Sequence, residues 1–390
     1  MSGWWPALRI ARREVGRAKG RAVMVVAMIG VPIAALAFAA VNYDTFTLSP
    51  AEQAERAMGS AQAAIRWPQD TPINQSPDGR TYFPPATAQP AGSAPGLEPA
   101  APTATTVAGI LALLPPGTRA IADQSGQVMV RTATGVGAIQ ARMLDYTDPL
   151  ARGILRQLAG RAPSTVDEAA VTRATADRLG AGVGGTVRTA DGVHSFRIVG
   201  IVEIPDDLRA TEVVLRPGAL PAAQLAANRS GLTWLVATPG PVTWDQIKQL
   251  NTRGLTVTSR YVLAHPPSRD QLYPNQPTRG TDTVQVFVLI AVPAILEVIL
   301  LAGPAFAVTA RRRRRDLALV AAAGGTPAQV RRIVLADGVV LGCLAAVAGL
   351  ALGILAAVAG HGWLEEHIAH VRSGALRVFP AALATLAGVA

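Results

Sequence analysis

The chain has one cysteine, Cys343, in 390 residues. No intramolecular disulfide can form and no Cys-based zinc site can be assembled, so any folded region must be held by its own core. Lysine is almost missing as well. Lys19 and Lys248 are the only two, and neither stands in a GxxxxGK[ST] phosphate loop. The glycines of 181–187 (AGVGGTV) follow a helical pattern instead of opening a helix after a strand, which removes the dinucleotide fingerprint. Aromatic residues make up only 5% of the chain, and no basic face interleaved with aromatics marks a nucleic-acid surface. If ATP takes part in what this chain does, another polypeptide must bind it.

Charge is scarce too, at 16% of residues, while half of the chain is hydrophobic and the mean hydropathy is +0.29. Three windows reach the roughly 20 apolar residues needed to cross a ~30 Å hydrocarbon core. They are 22–41, 284–309 and 336–360. A fourth apolar run, 380–390, is long enough for only about half a span, so the sequence reads as an N-terminal piece that stops inside its fourth transmembrane segment. Almost all of the excess positive charge sits in two short stretches. Residues 1–21 carry Arg9, Arg12, Arg13, Arg17, Lys19 and Arg21 against Glu14, and residues 310–335 carry seven arginines against Asp316. Basic bias in short flanking segments orients a membrane protein, which predicts a multi-pass plasma-membrane protein with its N-terminus and the 310–335 loop in the cytoplasm. The first span is read as an uncleaved anchor, since its run exceeds the 7–15 residues of a signal-peptide core. Ahead of it, Trp4, Leu8, Ala11, Val15 and Ala18 follow helical spacing, which is either an interfacial amphipathic helix or an irregular basic tail.

Residues 42–283 are then extracytoplasmic. Their 68–106 stretch is rich in Pro, Ala, Thr and Ser and reads as flexible. From about 107 onward the pattern is that of a globular α+β domain. Strands are expected at 128–132, 187–189, 195–202, 212–215 and 233–238, and helices at 51–66, 173–179 and 243–251. His367 and His370, with Glu366 beside them, lie in the outer loop 361–379. That spacing arises on any polar helix face, so no metal site is assigned. Glu297, in the middle of the second span, is the one intramembrane acid. Its cost in hydrocarbon argues for a role, either as a packing partner or as a proton carrier.

The cytoplasmic loop is the most informative segment. Gly324 and Gly325 suit a helix stop. Thr326, Pro327, Ala328 and Gln329 form a helix start, with Thr as N-cap, Pro at the first position and Gln completing a capping box. A short helix over 327–334 is predicted, with Val330, Ile333 and Val334 beside Arg331 and Arg332. From the residues alone this is either a tidy hairpin connection or a docking element. Residues 284–342 resemble the hallmark region of FtsX-like ABC transporter permeases of the MacB type. The resemblance is carried by Arg311, Arg312, Arg313, Arg314, Arg315, Asp316, Leu317, Leu319, Ala323, Gly324, Gly325, Thr326, Gln329, Val330 and Arg331. Asp316 stands where Glu is commoner and Gly325 where Ala is. Segment 168–203 is similar to the MacB-like periplasmic core of the same family: a strand, a helix ending in Arg-Leu-Gly, a Gly-rich turn and an F-x-I-V-G-x-V strand. Residues 43–160 match poorly.

The resemblance implies an α-helical integral membrane protein with its large α+β domain between the first and second transmembrane helices. It implies a non-enzymatic permease subunit whose loop, about 324–335, couples to a separate ABC ATPase that binds ATP and Mg. It also implies membrane lipid around the spans, and pairing with a second copy or a second permease module. Motion would pass to the outer domain for export or extraction of a substrate. Two alternatives stand beside it: an FtsX-type regulator of a cell-wall hydrolase, and a membrane-anchored receptor or adhesin without an ATPase.

Overall fold

A computed structural model describes residues 19–85, 106–221, 231–274 and 326–376, together with Leu296 and Leu300. The N-terminal stretch before Lys19, the second apolar window with Glu297, the basic cluster through Gly325, residues 86–105 and the 380–390 run lie outside the described residues.

Two helices are long and apolar enough to cross a membrane, over Val23–Phe46 and Gly338–Ala369. The first belongs to helix α1 (Lys19–Phe46) and the second to a long C-terminal helix (Pro327–Leu364). Their outer surfaces are aliphatic. Val31 and Leu355 are each 65% exposed and Val347 69%, an arrangement that suits lipid contact and not the core of a globular protein. The two helices pack in parallel: Gly30 meets Ala345 and Gly349, Ala34 meets Gly353, and the Phe46 and His361 rings lie 6.1 Å apart. Lys19 and Pro327 therefore start at the same end of the pair. Small residues permit close packing of membrane helices, and Gly349 and Gly353 do so here. A Cβ on Gly353 would lie 2.4 Å from the Ala34 carbonyl oxygen, and one on Gly349 2.6 Å from that of Gly30.

The second compact unit comprises residues 48–278 and 365–374. Its helices are α2 (Pro50–Met58), α3 (Val107–Leu111), α4 (Arg173–Leu179), α5 (Trp244–Asn251) and α6 (Arg260–Ala264), so the long C-terminal helix is α7. The strands are β1 (Ala63–Arg66), β2 (Asn74–Gln75), β3 (Tyr82–Phe83), β4 (Arg119–Thr132), β5 (Gly135–Met143), β6 (Arg156–Gly160), β7 (Glu168–Thr172), β8 (Thr186–Arg188), β9 (Ser195–Glu203), β10 (Glu212–Leu215), β11 (Leu232–Ala237) and β12 (Thr256–Ser259). Ten of them form one mixed sheet in the order β12-β1-β11-β4-β5-β10-β7-β9-β6, with β8 on β9. The pairs β5–β10 and β7–β9 are parallel and the others antiparallel.

Strand β4 changes partner along its length. Residues 119–124 pair with β11, and residues 124–132 pair with β5. The switch divides the domain into lobes. One core gathers Val130, Ile139, Val171, Phe196, Ile198 and Leu215. Another gathers Ile65, Trp67, Trp234, Ile247 and Val257, with Met58, Leu144, Leu150 and Leu235 in a neighbouring cluster.

Two expectations fail in this unit. Residues 51–66 are not one helix. Gly59 ends α2 with φ 61°, and the alanine-rich 63–66 becomes a strand between β11 and β12. The Pro-rich stretch is not flexible throughout either. Ile73, Asn74 and Gln75 are buried. The Gln75 amide donates to the Val257 carbonyl (2.7 Å) and accepts from the Val257 and Asn251 nitrogens (2.8 Å each), so one side chain completes the ladder that edge strand β12 lacks.

A largely buried ion triad, with Asp123 the most enclosed member, joins β4, β5 and β10. Arg142 donates twice to Asp123 (2.8 and 2.5 Å), while its Nη1 is 3.9 Å from Glu212 Oε1, which has no hydrogen-bond partner. Burial opposes the Arg142 charge, but the Asp123 carboxylate, followed by Glu212, raises its pKa above the ordinary arginine value. Burial also pushes the Glu212 carboxyl up to about 6, against the pull of Arg142.

Two outcomes are expected. Gly353→Leu should cost the helix pair about 1–3 kcal/mol, seen as a lower melting temperature in detergent. It should also abolish disulfide formation between Phe46→Cys and His361→Cys in a Cys343→Ser background. In the α/β unit, Glu212 holds its proton more tightly when folded than when unfolded. Its contribution is therefore most favourable below about pH 4.5, declines as pH rises to about 6, and is constant above that. Glu212→Gln should flatten this step and raise stability at about pH 7.5 by up to about 2 kcal/mol, measured by thermal unfolding at both pH values.

Candidate functional site

The candidate coupling segment starts as the sequence suggests and continues differently. Thr326 precedes the helix, Pro327 opens it, and Arg331 is exposed one turn in. The expected short helix over 327–334 does not end before the third apolar window. Ala328, Gln329, Val330, Arg331 and Arg332 belong to the same unbroken α7 as the apolar run. The reason is local: residues 327–342 contain no proline after the first position, and Asp337 and Gly338 are too little to stop a helix flanked by strong formers. At ~1.5 Å per residue its 38 residues extend about 57 Å, well beyond a hydrocarbon core. Of the remaining candidates, Gly324, Gly325, the Arg311 to Asp316 cluster and Glu297 lie outside the described residues.

At its C-terminal end α7 opens into a π-helical turn, Glu365–Ala369. His370 follows with φ 53°, the one non-glycine residue of positive φ among the described residues, and its Nδ1 lies 2.8 Å from the Glu366 carbonyl oxygen. Residues 365–374 pack within the α/β unit. Arg372 grips Glu203, the last residue of β9, through two parallel hydrogen bonds: Nε to Oε1 (2.9 Å) and Nη2 to Oε2 (2.8 Å). Its Nη1 donates to Glu365 Oε2 (2.7 Å). The other oxygen of Glu365 accepts from the Ser373 nitrogen (2.8 Å) and hydroxyl (2.7 Å).

Backbone bonds close the same turn. The Arg372 nitrogen donates to Pro205 O (2.7 Å), and the Leu208 nitrogen to His370 O (2.8 Å). On α2, Arg56 donates to Ser373 O (2.7 Å) and to Asp206 Oδ1 (3.0 Å). Glu203 and Glu365 are 6% and 7% exposed. The Arg372 hydrogen bonds hold the Glu203 carboxyl below the usual carboxylate range in spite of its burial, and bonding to Glu203 raises the pKa of Arg372 in turn.

Sequence reasoning left this cluster out. No local pattern joins Arg372 to a glutamate 169 positions earlier. The one available signal was an arginine within seven residues of a pair of acids, Glu365 and Glu366, in a short loop. Among the described residues, no three His, Cys, Asp or Glu side chains group as metal ligands.

No protein-family model matches the chain, and no curated protein matches it. Among solved structures it is similar to the extracellular domain of the noncanonic ABC-type transporter YknZ from Gram-positive bacteria. The identity is 14% and the TM-score 0.27, over 36% of this chain and 80% of that one. It is also similar to the periplasmic region of MacB from Actinobacillus actinomycetemcomitans, at 11% identity and TM-score 0.34, over 54% of this chain and 94% of that one.

Proposed function

We propose that the chain is the transmembrane subunit of an ABC transporter of the FtsX/MacB type, set in the plasma membrane with its N-terminus in the cytoplasm. ATP and Mg are bound by a separate ATPase subunit. Its hydrolysis cycle is transmitted through the spans to the α/β domain, which exports or extracts a substrate. Two copies, or this chain and a second permease module, complete the assembly within the lipid.

The observation that carries the reading is the continuity of α7. The segment whose residues resemble the family's coupling element is the first two turns of a helix that runs unbroken through the apolar window. A push at Arg331 therefore reaches Leu364 without a hinge, because a helix transmits axial displacement through its hydrogen-bonded backbone. The parallel start of α1 and α7 supports the same reading, since Lys19 and Arg331 stand at the same end of the helix pair, in agreement with the basic bias. The exposed Arg331 suits an acidic groove on an ATPase.

The test is a crosslink. With Cys343→Ser and Ala328→Cys, membranes holding a co-expressed ABC ATPase should yield a covalent adduct whose amount changes with ATP. The adduct should vanish when residues 324–331 are scrambled and fall about tenfold with Arg331→Glu. An adduct indifferent to ATP and to the scramble, or none with any ATPase, would overturn the reading.

A further inference from the structure

The ten residues after Leu364 pack as part of the α/β unit. Ion pairs on a surface stabilise little, but this one differs in three respects. Both carboxylates are buried. Arg372 meets Glu203 in the bidentate geometry that fixes direction as well as distance. Two backbone hydrogen bonds, at Pro205 and Leu208, close at the same place. Withdrawing Arg372 would leave Glu203 and Glu365 buried without their shared cation, which is strongly unfavourable. Pulling the segment away would therefore break these contacts together.

Its anchoring point is well chosen for passing on displacement. Strand β9 is hydrogen-bonded to β6, β7 and β8, so a pull on Glu203 is shared among three strands at once. The 203–208 turn also receives Arg56 from α2, which starts four residues after α1 ends. The chain leaving each apolar helix is thus fastened to the same turn.

We infer that residues 365–374 form a latch, closed by Arg372 on Glu203 and Glu365, that ties α7 to the end of β9. Arg372 is the positioning residue through which movement of α7 enters the sheet. The inference rests on the permease reading for the source of that movement. The latch itself stands on the contacts alone.

Hydrogen exchange read by mass spectrometry on the full chain, reconstituted with an ABC ATPase and with or without Mg-ATP, separates the two. In the unmodified chain, 365–374 should be protected and ATP should alter exchange in β9. Arg372→Ala should speed exchange in 365–374 by about tenfold or more and erase the ATP effect on β9. Protection in β4 and β5 should remain, and the ATPase should stay bound. A disulfide between Leu208→Cys and His370→Cys, in the Cys343→Ser background, should restore the ATP effect. Should Arg372→Ala unfold the domain, seen as lost protection in β4, Arg372→Lys carries the same readouts, because it keeps the charge and loses the fork. Unchanged exchange in 365–374 would overturn the latch. An open latch with the ATP effect intact would overturn its role as the route. If ATP alters nothing in the unmodified chain, the permease reading falls and the coupling role with it, while the exchange of 365–374 still reports on the latch.

Discussion

Strand β4 makes two lobes into one sheet, and the rest of the α/β unit depends on its change of partner. Its first half is held by β11 and its second half by β5, with Gln124 paired on both sides. Each lobe has an apolar core of its own, yet neither can twist independently, because the ladder on β4 is continuous. A residue in the middle of such a strand must satisfy neighbours on two flanks, so charge there needs an internal answer. Asp123, just ahead of the switch, finds it in Arg142 across β5.

Two arginines are used in two different ways. Arg142 has one full partner and one distant one, so Glu212 is held in a site better suited to its neutral form. Arg372 has both partners at hydrogen-bond distance and holds the Glu203 carboxyl below the usual carboxylate range. The difference is geometric. Arg142 is fixed within a strand and reaches only what the register brings to it. Arg372 comes from a turn free to settle where its planar fork matches the carboxylate. Buried ion pairs become favourable only when every lone pair and proton is met, and only the second cluster meets that condition.

The elements that could be read from the sequence carry their own boundaries. Helix α4 was legible because Thr172 caps it and Gly180 stops it in a left-handed conformation at φ 65°. Strand β10 was legible as a short β-branched run, and its expected bounds match. Strand β1 was not, because Ala-Ala-Ile-Arg has no strand preference of its own and is extended only between β11 and β12. The Gly59 before it is a local stop, but alanines stand on both sides of it. Gln75 was unreadable for a related reason: its task is to replace backbone on a strand that follows 182 residues later. In the candidate site, Pro327 as a helix start was legible. The absence of a stop after it was not, because the eye divides a polar segment from an apolar one where the backbone does not. The Arg372 cluster is wholly tertiary, and no periodicity announces it.

Edge strands present rows of backbone donors and acceptors, which are templates for another chain. The terminal strands β12 and β6 are both blunted here. On β12 the Gln75 amide already occupies the outward N–H and C=O of Val257. On β6 the register slips between Gln157 and Ala159, and the strand stops at Gly160 with φ 68°, so a straight incoming strand would lose step within a few residues. The domain can therefore stand at high local density without growing edge to edge, and it does so with no disulfide to hold its margins. Crowded side by side, such domains would remain separate bodies, free to meet only through their faces and loops.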